Sequence, residues 1–225
     1  MKPLRDSLQR RRNQRLSLCC ALSTRYNSAA LMSSPLASAI AGLASPDNQA
    51  REAAARQIYR EGRVPADRVA QVWCSNAALS SLLVGPNPAV TVGVAVTPET
   101  FRAIRQANGT PRLAEVPPDQ DAEEFELHFP DKVTLDVLTT KEPGGLGAIA
   151  RYLAKFGEGI QQVEFLCHNV DRAADILREA FQLTPIYPAT RKGADGTRIN
   201  FFLVGVPGGG KVLIELYERQ DSAAR

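Results

Sequence analysis

Read as a strand, residues 123 to 129 place Glu124, Glu126 and His128 on one face and Phe125, Leu127 and Phe129 on the other, because successive strand side chains alternate. The same parity leaves Thr134, Asp136 and Leu138 on one face of 133–138 and Gln162, Glu164 and Leu166 on one face of 161–167. Segment 212–217 leaves Leu213, Glu215 and Tyr217. If these faces line a common concavity, its lining is acidic. Carboxylates that share a cavity repel, and each raises its neighbours' pKa unless a cation, an arginine or a proton neutralises them. Three outcomes are open: a divalent-metal site, a solvated groove, or side chains that reach the rim. Arg198 is the nearest counter-charge by sequence.

Other chemistry-bearing residues read more plainly. His128 on an edge strand is better read as solvated than as a ligand or proton shuttle, and His168 falls at a strand end where Asn169 starts a helix. Cys74 and Cys167 read as small apolar residues and Trp73 as a helix anchor. The run Gly205-Val206-Pro207-Gly208-Gly209-Gly210-Lys211 has phosphate-loop spacing. However, Val212 stands where Ser or Thr would hold magnesium, and the alternating segment after it is a strand where a phosphate loop needs a helix. It reads as a hairpin turn, with no nucleotide cofactor implied.

These residues must be positioned by the elements around them. Residues 35 to 84 read as short helices: Ser45 caps one that enters through Pro46 and stops at Gly62, with further helical candidates at 66–73 and 76–83. This stretch resembles a single helical hairpin of the HEAT type and reads as an appendage packed on the strand-rich part of the chain. After Gly85-Pro86-Asn87-Pro88 the apolar period changes from helical to alternating. Strands are expected at 90–96, 112–116, 123–129 and 133–139, with a helix from Pro98 to Asn108-Gly109 after the first. A helix at 146–156 carries the stripe Leu146, Ile149, Leu153 and Phe156. The first order then returns: strand 161–167, helix 171–181, and strands near 184–188, 198–205 and 211–218. The fold class is α+β, two βαβββ modules preceded by a small helical segment.

The 225 residues are 44% apolar and 23% charged, the composition of a soluble globular chain. No stretch approaches the roughly 18 apolar residues of a membrane span, so no membrane partner is expected. Four cysteines, with Cys19 and Cys20 adjacent, form neither a disulfide framework nor a zinc motif, which makes a reducing, cytoplasmic location the default. Residues 1–31 carry Lys2, Arg5, Arg10, Arg11, Arg12, Arg15 and Arg25 against Asp6, a balance of +6 within an overall +3, so the rest is about −3. This leader reads as a disordered extension or residues upstream of a start at Met32, with an organelle transit peptide or a nucleic-acid arm as sharper alternatives. Nucleic acid is otherwise an unfavoured partner. The expected organisation is a basic leader over 1–31, a helical segment over 32–85 and a main domain over 86–220, with modules at about 89–140 and 160–218.

Residues 146 to 218, and especially Lys155-Phe156-Gly157-Glu158-Gly159-Ile160, Arg198-Ile199-Asn200-Phe201 and Val212-Leu213-Ile214-Glu215-Leu216, resemble the vicinal oxygen chelate superfamily, with methylmalonyl-CoA epimerase-like proteins closest in motif. Residues 90 to 140 resemble its first module more loosely. The resemblance implies a curved sheet cup in which each module supplies ligands from its first and last strands. These positions fall on Thr91, Asp136, Gln162 and Glu215, with Thr91 and Gln162 standing where His is usual in the epimerase branch. Oxygen donors favour Mg²⁺, Mn²⁺ or Co²⁺ over zinc.

The resemblance also implies a catalytic pair, Glu215 with Asp121, the latter in a turn whose alignment can slip to Asp119 or Glu123. A metal holding a carbonyl or thioester oxygen would stabilise the enolate formed when a carboxylate removes an α-proton. The implied function is a metal-dependent isomerase or lyase acting on a small carbonyl compound or acyl-CoA. The alternative is a catalytically degenerate module that binds a ligand or a protein. A homodimer is compatible with either, and in the superfamily the modules either close one cup within a chain or swap between subunits.

Overall fold

A computed structural model describes residues 34–85, 88–206 and 209–219, all within one compact unit that begins at Ser33. The basic leader, the Cys19-Cys20 pair, Pro86-Asn87 and Pro207-Gly208 lie outside the described residues.

Helix α1 (Pro35–Gly42) begins where Ser34 Oγ accepts the Ala37 N–H at 3.1 Å. Helix α2 (Asn48–Trp73) is capped by Asp47, which accepts the Gln49 N–H at 3.1 Å, and it runs 26 residues without stopping at Gly62. The expected cap, Ser45, instead accepts the Asp47 N–H just before the helix. Gly62 is not a helix stop: it lies against the sheet, where a Cβ would fall 2.6 Å from Val92 Cγ1. Pro65 sits inside α2 and costs it one backbone donor, and the buried face of Ala55, Ile58, Ala66, Val69 and Trp73 continues on both sides of it. Packing therefore overrides two local breakers. A short helix α3 (Ala77–Ser80) comes next, capped by Asn76.

The chain then runs β1 (Val90–Ala95), α4 (Pro98–Ala107), β2 (Glu123–Phe129), β3 (Val133–Thr139), α5 (Ala148–Phe156), β4 (Gly159–Leu166), α6 (Val170–Phe181), β5 (Arg191–Lys192), β6 (Arg198–Gly205) and β7 (Lys211–Glu218). Thr97 and Asn169 cap α4 and α6 through the Thr100 and Arg172 N–H groups. The strands form one curled sheet in the order β2-β3-β1-β4-β7-β6-β5. Strands β1 and β3 are parallel, β4 and β7 are parallel, and β1 meets β4 antiparallel at the centre. A pseudo-two-fold between β1 and β4 thus relates β2-β3-β1 to β6-β7-β4, and both modules build one cup within the chain.

Two expected strands are absent. Residues 112–116 are framed by Pro111, Pro117 and Pro118, and touch β2 through one hydrogen bond, Ala114 N–H to Glu124 O at 3.0 Å. Residues 184–188 contain Pro185 and Pro188, which lack ladder donors, and make a single bridge from Pro185 to Phe202. Short apolar runs broken or framed by proline cannot sustain pairing. Helix α5 keeps only Ile149 of its expected stripe fully buried: Leu146, just before it, is 85% exposed and Phe156 is 64% exposed.

One core holds the helices and the back of the sheet together. Helix α2 packs on β1, β3, β4 and β7, so it spans both modules, and Trp73 stacks near Phe165 and Phe202 with centroids 5.9 and 6.4 Å away. The helical segment therefore shares this core. A separate small cluster of Ala95, Leu138 and Ile149 seats α5 on the opposite, concave face.

Candidate active site

The concave face encloses a cavity of about 940 Å³. Its floor is set by strand register. Asp136 stands beside Glu126 on β2 and Gly93 on β1, and Gly93 in turn faces Gln162 on β4. The pseudo-symmetric row runs Phe201, Glu215, Glu164, Thr91. Gly93 has no side chain because Gln162 lies over it: a Cβ there would be 2.5 Å from Gln162 Cγ. A register shift between Gly93 and Val94 adds one residue to β4, so Gln161 and Gln162 both line the cavity. The Gln161 Oε1 is buried and makes no hydrogen bond.

The Gln162 amide ties the floor together. Its Nε2 donates to Glu215 Oε2 at 2.6 Å and to Glu164 Oε1 at 3.2 Å. Glu124, Glu126 and Asp136 bring the carboxyl groups that the strands present to the cavity to five. Burial is the main force raising the pKa values of Glu124, Asp136, Glu164 and Glu215, with repulsion from neighbouring acids adding to it. Burial, then the charges of Asp195 and Glu126, pushes Glu124 up to about 7. Burial pushes Glu164 up to about 8 against the opposing Gln162 hydrogen bond. Asp136 and Glu215 are held well above the carboxylate range, again by burial first and then by the neighbouring acids. Glu124 and Glu215 are half-buried, each keeping a face open to the cavity while protein atoms crowd the rest of the group.

Four arginines reach the mouth, and two of them are paired with acids. Arg112 grips Asp195 with two bonds at 3.0 and 2.6 Å, and Arg191 pairs with Asp119 while its guanidinium lies 4.6 Å from the Tyr187 ring centroid. These pairs, with Gln120 Nε2 donating to Lys192 O at 2.9 Å, latch the 112–120 segment of one module to the 191–196 turn of the other. The exposed Arg151 and Arg219 also reach the lining.

Sequence parity places the acids correctly, and Asp136, Gln162 and Glu215 meet at the floor. Thr91 is buried opposite Glu164 and is not part of the cavity lining. Asp121 reaches the lining but acts as a loop clamp. Its Oδ1 accepts the Lys141 and Glu142 N–H groups at 2.9 and 3.1 Å, and its Oδ2 accepts the Thr140 hydroxyl at 2.6 Å. Of the slipped alternatives, Asp119 pairs with Arg191, and Glu123 points to the other side of β2. The acids that β2 turns into the cup are Glu124 and Glu126, two residues apart, and strand alternation alone finds them, as it finds Glu164. Arg198 is no counter-charge for the floor: it pairs with Asp171 and Glu218 on the other face. His128 is exposed, 3.1 Å from Glu126.

The expected metal donors do not fit one shared ion. Among the described residues no three His, Cys, Asp or Glu side chains are grouped to hold a metal. The Gln162 N–H₂ group occupies the space between Glu215 and Glu164, and Thr91 is withdrawn from the set. Burial and the neighbouring acids favour the protonated forms of Asp136, Glu164 and Glu215, and the Gln162 amide donates to the last two.

No family model and no curated protein matches the sequence. Among solved structures, the chain is similar to methylmalonyl-CoA epimerase from Mycobacterium tuberculosis at 28% identity and a TM-score of 0.51, over 63% of this chain and 91% of that one. Further matches are a variant of Streptomyces coelicolor methylmalonyl-CoA epimerase in complex with 2-nitronate-propionyl-CoA (24% identity, TM-score 0.46, 64% and 100% covered) and a methylmalonyl-CoA epimerase in complex with methylmalonyl-CoA and ammonium (22%, 0.47, 64% and 100%). The paired modules and the first of these likenesses give the chain the vicinal oxygen chelate fold.

Proposed function

We propose that the cup is the active site of an isomerase that moves a proton at the carbon next to the thioester carbonyl of an acyl-CoA. The observation that carries this reading is a floor of carboxyl groups on both halves of one cavity, held by burial well above the ordinary carboxylate range, in a fold shared with an acyl-CoA epimerase. A base for such a carbon works best with a pKa near the operating pH, which burial supplies here.

Glu215 on β7 and Glu124 on β2 approach from opposite halves of the cup and serve as the acid–base pair. One, as carboxylate, takes the α-proton: the C–H bond breaks and its electron pair moves into the thioester, leaving an enolate. The other returns a proton to the opposite face, restoring the thioester with inverted configuration. Asp136, whose protonated form burial favours, donates a hydrogen bond to the enolate oxygen. Gln162 positions Glu215. Asp121 positions the 140–142 loop beside the cup. The exposed Arg151 and Arg219 at the mouth suit the CoA phosphates.

The test is α-proton exchange in D₂O, followed by NMR on a panel of acyl-CoA esters. The wild-type protein exchanges the α-proton, and Glu215→Gln and Glu124→Gln each reduce the rate by about 100-fold or more, the usual range for removing an acid–base group. Binding without exchange across the panel would support the non-catalytic module instead.

A further inference from the structure

The two halves of the cup are related by symmetry but differ in polarity. The pseudo-two-fold that takes Asp136 to Glu215 takes Glu126 to Phe201 and Glu124 to Ile199. One wall is therefore carboxylic and the other apolar. Ile199 is buried, and Phe201 meets Tyr187 edge-on with centroids 5.8 Å apart. Leu213 adjoins them on the lining.

A substrate carbon over the floor carries the thioester, a hydrogen and its remaining substituents. A carboxylate substituent would lose its water beside Glu124, Glu126, Asp136, Glu164 and Glu215, where burial already disfavours negative charge, with no cation on the floor to offset it. Arg112 and Arg191 are committed to Asp195 and Asp119, the exposed Arg151 and Arg219 stand at the mouth where the CoA phosphates are placed, Arg198 lies on the opposite face, and the Gln162 N–H₂ group is already engaged by two acids. An uncharged hydrocarbon, by contrast, gains the apolar wall, and an aromatic one gains edge-to-face contact with Phe201 and Tyr187.

We infer that the cup selects acyl-CoA esters whose α-carbon bears an uncharged aromatic or branched group lodged against Ile199, Phe201 and Tyr187, and excludes esters bearing a second carboxylate. This rests on the acyl-CoA reading of the cup and departs from the ester named for the similar epimerases. Phe201 is the specificity-determining residue, and Glu126 reinforces it from across the cup.

The experiment compares 2-phenylpropionyl-CoA, methylmalonyl-CoA and free CoA by calorimetric titration of the full chain, then tracks α-proton exchange of both esters. Wild type binds 2-phenylpropionyl-CoA at least about tenfold more tightly than methylmalonyl-CoA, which binds no better than CoA. Phe201→Arg, which sets a cation on the apolar wall, narrows or reverses the ranking, and the conservative Glu126→Gln at an exposed position narrows it by several-fold. Methylmalonyl-CoA binding as tightly as the neutral ester overturns the inference and leaves the acyl-CoA reading standing. Neither ester binding better than CoA overturns both. The expected ranking without exchange supports the ligand class and refutes the isomerase.

Discussion

Glu164 makes stability depend on pH in an unusual direction. Its carboxyl rises from the ordinary 4.5 to about 8 in the folded chain, chiefly through burial. The folded protein therefore holds a proton that the unfolded chain releases, so unfolding is favoured as pH rises from the unfolded to the folded value. Each unit is worth about 1.4 kcal/mol. Between pH 5.5 and 8, about 2.5 units of that window, Glu164 alone costs the fold about 3 kcal/mol. For a domain of this size that lowers Tm by roughly 6–12 °C. The lowered carboxyls Asp171 and Asp195 act in the opposite sense only near and below their ordinary 3.8, outside this window. Thermal denaturation at constant ionic strength and about pH 5.5, 7 and 8.5 gives the measurement, with Glu164→Gln as control. The wild-type Tm falls across the series, while the variant falls less and is the more stable at the alkaline end. A Tm that holds level or climbs refutes the burial argument. If millimolar Mg²⁺ or Mn²⁺ restores the alkaline Tm, these donors do gather around a divalent ion.

Two further outcomes arise from close contacts. Gly62→Val forces branched methyls into Val92, with the first new carbon already 2.6 Å from Cγ1, and destabilises the protein by about 2 kcal/mol or more in urea unfolding; Val92→Ala in the same chain recovers part of the loss, whereas simple additivity would refute the clash. Asp121→Ala releases three hydrogen bonds to residues 140–142 and raises KM for an exchanging acyl-CoA more than it lowers kcat; a loss confined to kcat would return Asp121 to the proton-transfer pair.

Much of the cup was legible because strand parity is rigid. With Phe125, Leu127 and Phe129 in the core, Glu124 and Glu126 must face the other way, and the same alternation turns Asp136, Glu164 and Glu215 into the cup. What parity does not encode is which acids meet. That depends on the pairing of β4 with β7, more than 45 residues apart in the chain, and on the extra residue at Gln161. The family resemblance points to Thr91 and Asp121, but residue type and position do not reveal that one is withdrawn from the cavity and that the other's oxygens bind a loop. Gly62 read as a stop because a glycine's local cost is visible in sequence while its neighbour Val92 is not.

Helix α2 has a consequence for the order in which the molecule is made. It precedes every strand, yet its buried face is completed by β7, the last of them. During synthesis Ile58, Val69 and Trp73 leave the ribosome well before the strands that cover them, so an apolar ridge stays bare for most of translation. The contacts that cover this ridge are therefore long-range in sequence, the kind whose formation slows folding.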